Sequence, residues 1–254
     1  MFAELHRDLR ARIQPRRHTA LLVMLVLACS VRPLLGEGGG GPIVFSLAVV
    51  ALLLVALYAT QVDELVGDRA MLIGQRRRRS MIGWGLAIPA IVERVVMLFH
   101  PSPRISFIGS LSWLAFFAFI TWSEWRIVLK QKEVTSETIS MAIAVYLLIG
   151  LTWGLVYIVI FQFQPQAFSF GGSTMPVTAA TDHQGALFPV FIYFSLTTLS
   201  TIGFGDIVPL TLQARYAAVA EGITGQFFLA ILVARLVGMQ MMTQSAGPPP
   251  AARN

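Results

Sequence analysis

The sequence predicts an all-α integral membrane protein with six membrane-spanning helices and a re-entrant helix and loop between the fifth and the sixth. Three observations support this class. Of the 254 residues, 56% are hydrophobic and 13% are charged, whereas soluble domains are about 25% charged, and the mean hydropathy is +0.70. Six apolar segments are long enough to cross a bilayer. A shorter apolar segment, followed by alternating glycines, lies between the last two.

The apolar segments set the predicted domain organisation. They lie near 18–35, 43–62, 81–100, 105–125, 139–163 and 213–242. The first segment is the weakest, because Arg32 and Pro33 interrupt it. The expected parts of the chain are a basic amphipathic segment at 1–18, a four-helix transmembrane domain at 19–125, a cytoplasmic linker at 126–138, a second membrane domain at 139–242 and a flexible tail at 243–254.

Basic residues indicate the orientation of the chain. They concentrate in 1–18, in 62–80, in 126–138 and after residue 234, so the positive-inside rule predicts that both termini are cytoplasmic. The segment 1–18 has apolar residues at helical spacing and arginines on its other faces. It favours either a helix lying on the membrane surface or a basic flank that orients the first span.

Four consecutive arginines precede the third span: Arg76, Arg77, Arg78 and Arg79. They are expected to anchor the topology, and contact with an anionic lipid is the alternative, worth about 1 kcal/mol for each arginine near a charged leaflet. A nucleic-acid role is disfavoured, because no soluble basic domain accompanies the run. The single cysteine, Cys29, excludes an intramolecular disulfide and a cysteine metal cluster.

The stretch from Thr197 to Asp206, TTLSTIGFGD, is the most informative part of the sequence. Its two glycines, Gly203 and Gly205, alternate with larger residues, and glycine adopts positive φ without steric cost. Alternating left-handed residues turn successive carbonyls to one side. At membrane depth such a backbone is tolerated only where it lines a cavity, and four copies around an axis would create that cavity. Rings of carbonyl oxygens there could replace the water shell of a cation.

The motif Thr201-Ile202-Gly203-Phe204-Gly205-Asp206 resembles the potassium-channel signature Thr-Val-Gly-Tyr-Gly-Asp, and we call residues 201–206 the filter loop. Its context is similar too: Leu187 to Leu199 resembles the pore helix, with Pro189 in its first turn, and Gln213 to Met242 resembles the inner helix. The detailed resemblance covers about residues 139–242, which would be the pore domain. It implies a homotetramer of subunits that conducts potassium ions.

The resemblance implies specific sites in this chain. The ion-binding residues would be Thr201, Ile202, Gly203, Phe204 and Gly205, with K+ held at the first four, and the residues supporting the filter would be Asp206, Thr197, Thr198, Tyr193 and Phe194. Tyr193 and Phe194 are expected to pack against the filter, and the two threonines to hydrogen-bond behind it. Phe204 replaces the usual tyrosine, so the hydroxyl that ties the filter to the pore helix in many family members is absent, and Tyr193 and Phe194 replace a pair of tryptophans that would offer Asp206 an indole donor.

The last span carries further candidates. Gly225 lies 19 residues after Asp206, the offset of the gating-hinge glycine of the family, and close helix packing is the alternative role. The resemblance places Gln226, Leu229 and Val233 along the inner cavity. Glu221 is unusual at this depth. It would attract cations to the cavity, support the back of the filter, or be a buried carboxyl bonded to a neighbour.

The predicted function is a potassium-selective channel of a cell's plasma membrane that conducts passively, with no enzymatic activity and no cofactor. The fourth span has no arginine between its ends, so steep voltage gating is not expected. The alternatives are a weakly selective cation channel and a non-conducting channel subunit. An intramembrane serine protease is disfavoured, because none of the histidines, which are His6, His18, His100 and His183, lies within the helices of the pore half.

Overall fold

The computed structural model describes residues 17–35, 41–62, 69–100, 102–131, 134–171 and 184–245. The expected surface helix at 1–18 lies outside these residues except at its last two positions, which begin the first helix. The expected tail at 243–254 also lies mostly outside them. The side chains of Arg76 to Arg79 are not described, although the backbone there is helical.

Helices dominate the described chain, and each of the six predicted apolar segments is helical. The seven α-helices are α1 Arg17–Leu35, α2 Gly41–Val62, α3 Arg69–Phe99, α4 Pro103–Val128, α5 Ser136–Phe163, α6 Gln184–Leu199 and α7 Leu212–Ser245. Four of them contain apolar stretches long enough to cross a membrane: Ser80–Met97, Pro103–Val128, Ser136–Phe163 and Leu212–Met241. Shorter apolar stretches lie in α1, α2 and α6. The chain is therefore a mostly helical membrane protein.

Local sequence signals explain how α4 and α5 begin. Pro103 occupies the first turn of α4, where a missing amide hydrogen costs nothing. Helix α5 begins with a capping box, in which the Thr135 hydroxyl accepts from the Thr138 amide at 3.2 Å and the Thr138 hydroxyl accepts from the Thr135 amide at 3.4 Å. Only residues 129–135 separate the two helices, which pack directly against each other.

The first helices pack onto α5 within the same chain. Helix α1 contacts α2 and α5, and α4 contacts α3 and α5. At the start of α1, the carboxylate of Glu137 accepts hydrogen bonds from the His18 amide at 2.7 Å and from the Thr19 hydroxyl at 2.8 Å. An acidic side chain at a helix N-terminus satisfies free amides and complements the helix dipole. Glu137 therefore fixes α1 to the beginning of α5.

The core continues from these helices into the second membrane domain. One cluster of buried apolar side chains extends from α1 to Ala214 at the start of α7, and its largest members include Phe116, Tyr157 and Phe191. A second cluster joins α4, α5, α6 and α7; its buried members are Val128, Met141, Val145, Ile149, Leu199 and Phe228. Helix α6 thus lies between α5 and α7 and contacts both.

Short regular elements directly follow α5. A 3-10 turn at Pro165–Ala167 leads to strand β1, Phe168–Phe170, which pairs antiparallel with β2, Ile207–Pro209. The pairing places Ser169 opposite Val208. These strands are too short for sequence periodicity to reveal them. They attach the chain just after the filter loop to the end of α5.

Helix α6 also begins earlier than predicted. It starts at Gln184, so Pro189 is its sixth residue and lies inside the helix, not in its first turn. Proline at that position removes one intrahelical hydrogen bond. The missing hydrogen bond is near the start of α6, where packing stabilises the helix: Leu187, Phe188, Phe191 and Ile192 are buried.

Candidate functional site

The backbone of the filter loop alternates in handedness. Gly203 has φ of 53° and Gly205 has φ of 79°, which confirms the positive φ predicted for both glycines. A Cβ atom at either position would meet nothing within 4 Å, so conformation and not crowding within the chain requires glycine there. Thr201 also has a positive φ of 61°, which the sequence did not predict. Positive φ is rare and strained for a β-branched residue.

Hydrogen bonds to the end of α6 hold the loop in this conformation. The main-chain carbonyl of Thr197 accepts from the amides of Ile202 at 2.9 Å and Gly203 at 3.1 Å, and the amide of Thr201 donates to the Thr198 carbonyl at 3.0 Å. In the described part of the chain, no carbonyl from 201 to 205 accepts a hydrogen bond. The amides are thus bound to the helix, while the carbonyl oxygens are available as ligands.

The threonine side chains act differently from the prediction. The hydroxyls of Thr197 and Thr198 both donate to the main-chain carbonyl of Phe194, at 2.9 and 2.8 Å, and so bond within α6 instead of behind the loop. Threonine in a helix commonly donates to a carbonyl three or four residues earlier. The contacts from these residues to the filter loop are made by main-chain carbonyls.

Tyr193 lies beside the filter loop. Its ring stacks parallel to that of Phe204, with 6.2 Å between ring centroids and 1° between planes, and its hydroxyl lies near the carboxylate of Asp206. No tryptophan occupies the positions from which an indole could donate to Asp206. Tyr193 instead places a phenol near this carboxylate, and its ring lies parallel to that of Phe204.

Phe194 points away from the loop, contrary to the expectation that it packs against the filter. Its ring contacts Tyr157 at 4.9 Å and Phe168 at 5.5 Å in edge-on geometry, within the aromatic cluster that joins α5, α6 and β1. Neighbouring residues of a helix project about 100° apart. Tyr193 and Phe194 therefore lie on different faces of α6.

Two glycines of α5 form the surface that receives α6. A Cβ atom on Gly154 would lie 3.3 Å from the Cα and amide nitrogen of Ile192, and one on Gly150 would lie 2.8 Å from the side chain of Leu196. Small residues four apart let two helices approach closely in a membrane. The Gly150-x-x-x-Gly154 spacing is a signal in the sequence from which this surface could have been predicted, and it was missed.

Gly225 contacts the C-terminal end of α6. A Cβ atom there would lie 2.6 Å from the carbonyl oxygen of Leu199, which also accepts a hydrogen bond from the Tyr146 hydroxyl at 3.2 Å. Helix α7 continues unbroken through this position. Close packing is thus observed at Gly225, and its role as a gating hinge stays a prediction.

Glu221 does not share a face with Gln226, Leu229 and Val233. Gln226, Leu229 and Val233 are exposed in the single chain, whereas Glu221 is completely buried. The Tyr157 hydroxyl donates to Glu221 Oε2 at 2.5 Å, and the Ser195 hydroxyl contacts Oε1. Of the three roles considered for Glu221, the structure shows the buried carboxyl bonded to its neighbours. Glu221 lies off the exposed face because of how α7 is rotated about its axis, and the apolar pattern of the sequence does not predict this rotation.

The described residues offer no conventional metal site, since no three His, Cys, Asp or Glu side chains come together among them. Ligands for a cation would have to be the main-chain oxygens of the filter loop and the Thr201 hydroxyl. Such hard oxygen ligands suit an alkali cation, and they require no acid or base.

Comparison with known proteins agrees with this geometry. Residues 145–241 match the family model described as "Ion channel". The "Potassium channel protein kcv" of Paramecium bursaria Chlorella virus 1 is 34% identical over 77 residues, which are 30% of this chain and 77% of the viral protein. No solved structure matches the chain. Ion channels make and break no covalent bonds, so the protein is not an enzyme and needs no cofactor. The chain belongs to the potassium-channel family.

Proposed function

We propose that the chain forms a homotetrameric channel that selects potassium and conducts it passively, with the filter loop of each subunit supplying backbone carbonyls. Potassium is the permeant ion of the family. The single observation that carries the proposal is the alternating backbone of residues 201–205, whose amides are bonded to α6 and whose carbonyls have no partner in the described chain. Four such loops would build stacked rings of oxygens.

Exposure within the single chain supports assembly. Ile202 is 57% exposed and Phe204 is 68% exposed, and the apolar residues Val219, Ile223, Phe227 and Val233 of α7 are more than half exposed. Contiguous apolar surfaces of this kind mark interfaces or lipid contact. A four-fold axis beside the filter loop and α7 would place these residues between subunits or along a central cavity that Gln226, Leu229 and Val233 line.

In this proposal, α6 is a re-entrant pore helix, α5 and α7 are the outer and inner helices of the pore domain at 139–242, and α1 to α4 form the four-helix domain at 19–125. The chain would then cross a cell's plasma membrane six times, with both termini in the cytoplasm. The distribution of basic residues supports this orientation. Arg76 to Arg79 would lie at the inner surface, where they anchor the topology or contact anionic lipid.

Ion flux from liposomes containing the purified chain tests the proposal. Flux of potassium and rubidium, with little flux of sodium or lithium, is expected, and Gly203→Asp should abolish it, since aspartate carries charge and bulk at a residue with φ of 53°. A matched control is Gly222→Asp, at a helical glycine with nothing within 4 Å of an added Cβ. Chemical cross-linking of the same preparation should give a tetramer as its largest product.

A weakly selective cation channel is the second candidate, because Phe204 has no hydroxyl to fix the loop. Equal sodium and potassium flux through a tetramer would establish that function instead. A tetramer without flux, either alone or in any mixture of lipids, would indicate a non-conducting subunit.

A further inference from the structure

Glu221 is an acid without a cationic partner in the interior of the protein. It is completely buried on α7, and its contacts are the hydroxyls of Tyr157 on α5 and Ser195 on α6. No basic side chain of the described residues forms an ion pair with it. A buried carboxylate with no cation is costly, so the protonation state of Glu221 has structural consequences.

The hydrogen atoms available to this cluster can be counted. The Ser195 hydroxyl has one hydrogen, yet its oxygen lies 2.6 Å from the carbonyl oxygen of Gly150 and also contacts Glu221 Oε1. The carbonyl can only accept, so the serine hydrogen belongs to that bond. If Glu221 were ionised, no hydrogen would be left between Ser195 and Oε1. Two oxygens in such contact need one.

A protonated Glu221 satisfies every contact. Its Oε1 hydroxyl donates to Ser195 Oγ, Ser195 donates to the Gly150 carbonyl, and Tyr157 donates to Oε2. We propose that Glu221 is held as a neutral acid whose proton joins α7 to α6 and, through Ser195, to α5. The filter loop is bonded to the C-terminal end of the same α6. The proton therefore helps to hold the helix that supports the filter.

Loss of that proton should weaken the pore. An ionised Glu221 would compete with Gly150 for the Ser195 hydrogen and would bring an unpaired charge between three helices. The titratable groups facing it are Tyr157 and Tyr146, both on α5. Helix α6 faces it with Ser195, and no charged group of the described residues adds to its environment. Alkaline pH should therefore close or destabilise the channel through this residue.

Infrared spectroscopy of the reconstituted full chain tests the proton directly. A carboxylic-acid C=O band is expected at neutral pH; part of it should be lost in Glu221→Gln, and that part should shift in Ser195→Ala. Glu137→Gln is the matched control, because Glu137 accepts two hydrogen bonds from an amide and a hydroxyl and should leave that part unchanged. If Glu221→Gln removes no carboxylic-acid band, the assignment is wrong. If Glu221→Gln does not fold, the Ser195→Ala variant tests the assignment: a shifted carboxylic-acid band supports it and an unchanged band contradicts it.

Measuring ion flux as a function of pH tests the predicted loss of channel activity at alkaline pH. This experiment rests on the proposed channel function. Wild-type flux should fall at least fivefold and reversibly between neutral and alkaline pH, while Glu221→Gln should keep near wild-type flux across the range. Loss of flux in a tetrameric Glu221→Gln variant at neutral pH would overturn the inference, as would an unchanged alkaline decline. Absence of flux in the wild type counts against the proposed function, and the infrared result would still stand.

Discussion

Gly225 lies so close to the end of α6 that a Cβ atom would come within 2.6 Å of the Leu199 carbonyl oxygen. We expect Gly225→Ala to displace α6 from α7 and to cost about 1–3 kcal/mol of unfolding free energy, as overpacking does. The measurement is thermal unfolding of the reconstituted tetramer. Since Leu199 is two residues before Thr201, reduced flux should accompany the loss of stability.

Gly222 provides the matched control for that substitution. An added Cβ there meets nothing within 4 Å, so Gly222→Ala should be neutral or should gain up to about 1 kcal/mol from helix propensity. If Gly225→Ala is as stable as Gly222→Ala and yet fails to open, the glycine is important as a hinge and not for packing.

The phenol of Tyr193 is expected to stabilise the filter loop through Asp206. We expect the Tyr193 hydroxyl to bond to the nearby Asp206 carboxylate in the assembled filter, so Tyr193→Phe would remove one hydrogen bond, worth about 1 kcal/mol, and keep the ring that stacks on Phe204. The potassium-to-sodium flux ratio should therefore fall roughly fivefold, the factor that this energy represents. Tyr216→Phe is the control, because Tyr216 is 68% exposed and makes no hydrogen bond in the described chain. An unchanged ratio in Tyr193→Phe would show that the bond does not contribute to selectivity.

The four-helix domain should pack on the pore domain of its own subunit. The hydroxyl oxygens of Thr19 and Ser140 are 3.4 Å apart, and only residues 129–135 connect α4 to α5. In a Cys29→Ser background, Thr19→Cys with Ser140→Cys should therefore form a disulfide within one subunit on mild oxidation. Denaturing electrophoresis should show a faster monomer. A dimer band would mean that the domains are exchanged between subunits, and either single cysteine variant controls for random pairing.

The sequence predicted the parts of the fold that depend on apolar length and on glycine. Membrane-spanning segments are long, so the helix bounds agree within a few residues except for α3, which begins at Arg69, 12 residues before the predicted span. The positive φ of Gly203 and Gly205 follows from their lack of a side chain. The six-span count, the residue roles in the filter and the tetramer stay predictions.

The remaining features depend on tertiary contacts that a sequence pattern does not contain. Thr201 adopts positive φ because the bonds to the end of α6 outweigh its intrinsic preference. The partners of Glu221 depend on the rotation of α7, a helix whose apolar residues surround it on all sides and therefore indicate no face. Strands β1 and β2 have three residues each, too few for an alternating pattern.

Arg235 links α7 to the C-terminal end of α4 and to the linker that follows it. Its guanidinium donates to the carbonyl oxygen of Val128, the last residue of α4, at 2.8 Å and to that of Gln131, three residues further on. It lines a small apolar pocket together with Trp125 and Phe228. The charge of Arg235 thus stabilises the end of α4, and we expect the contact to couple movements of α4 and α7.

Substitution of Arg235 should separate these two helices. Arg235→Met keeps an apolar stem but removes the two hydrogen bonds from the guanidinium to the carbonyls of Val128 and Gln131, so we expect a loss of about 1.5–3 kcal/mol in unfolding free energy, the range for hydrogen bonds to charged groups. Arg126→Met is the control, since Arg126 lies on the last turn of α4 and makes no hydrogen bond in the described chain. Thermal unfolding compares the two variants. Equal stability would mean that Arg235 does not hold α4, and open probability unchanged from wild type would argue against coupling through this contact.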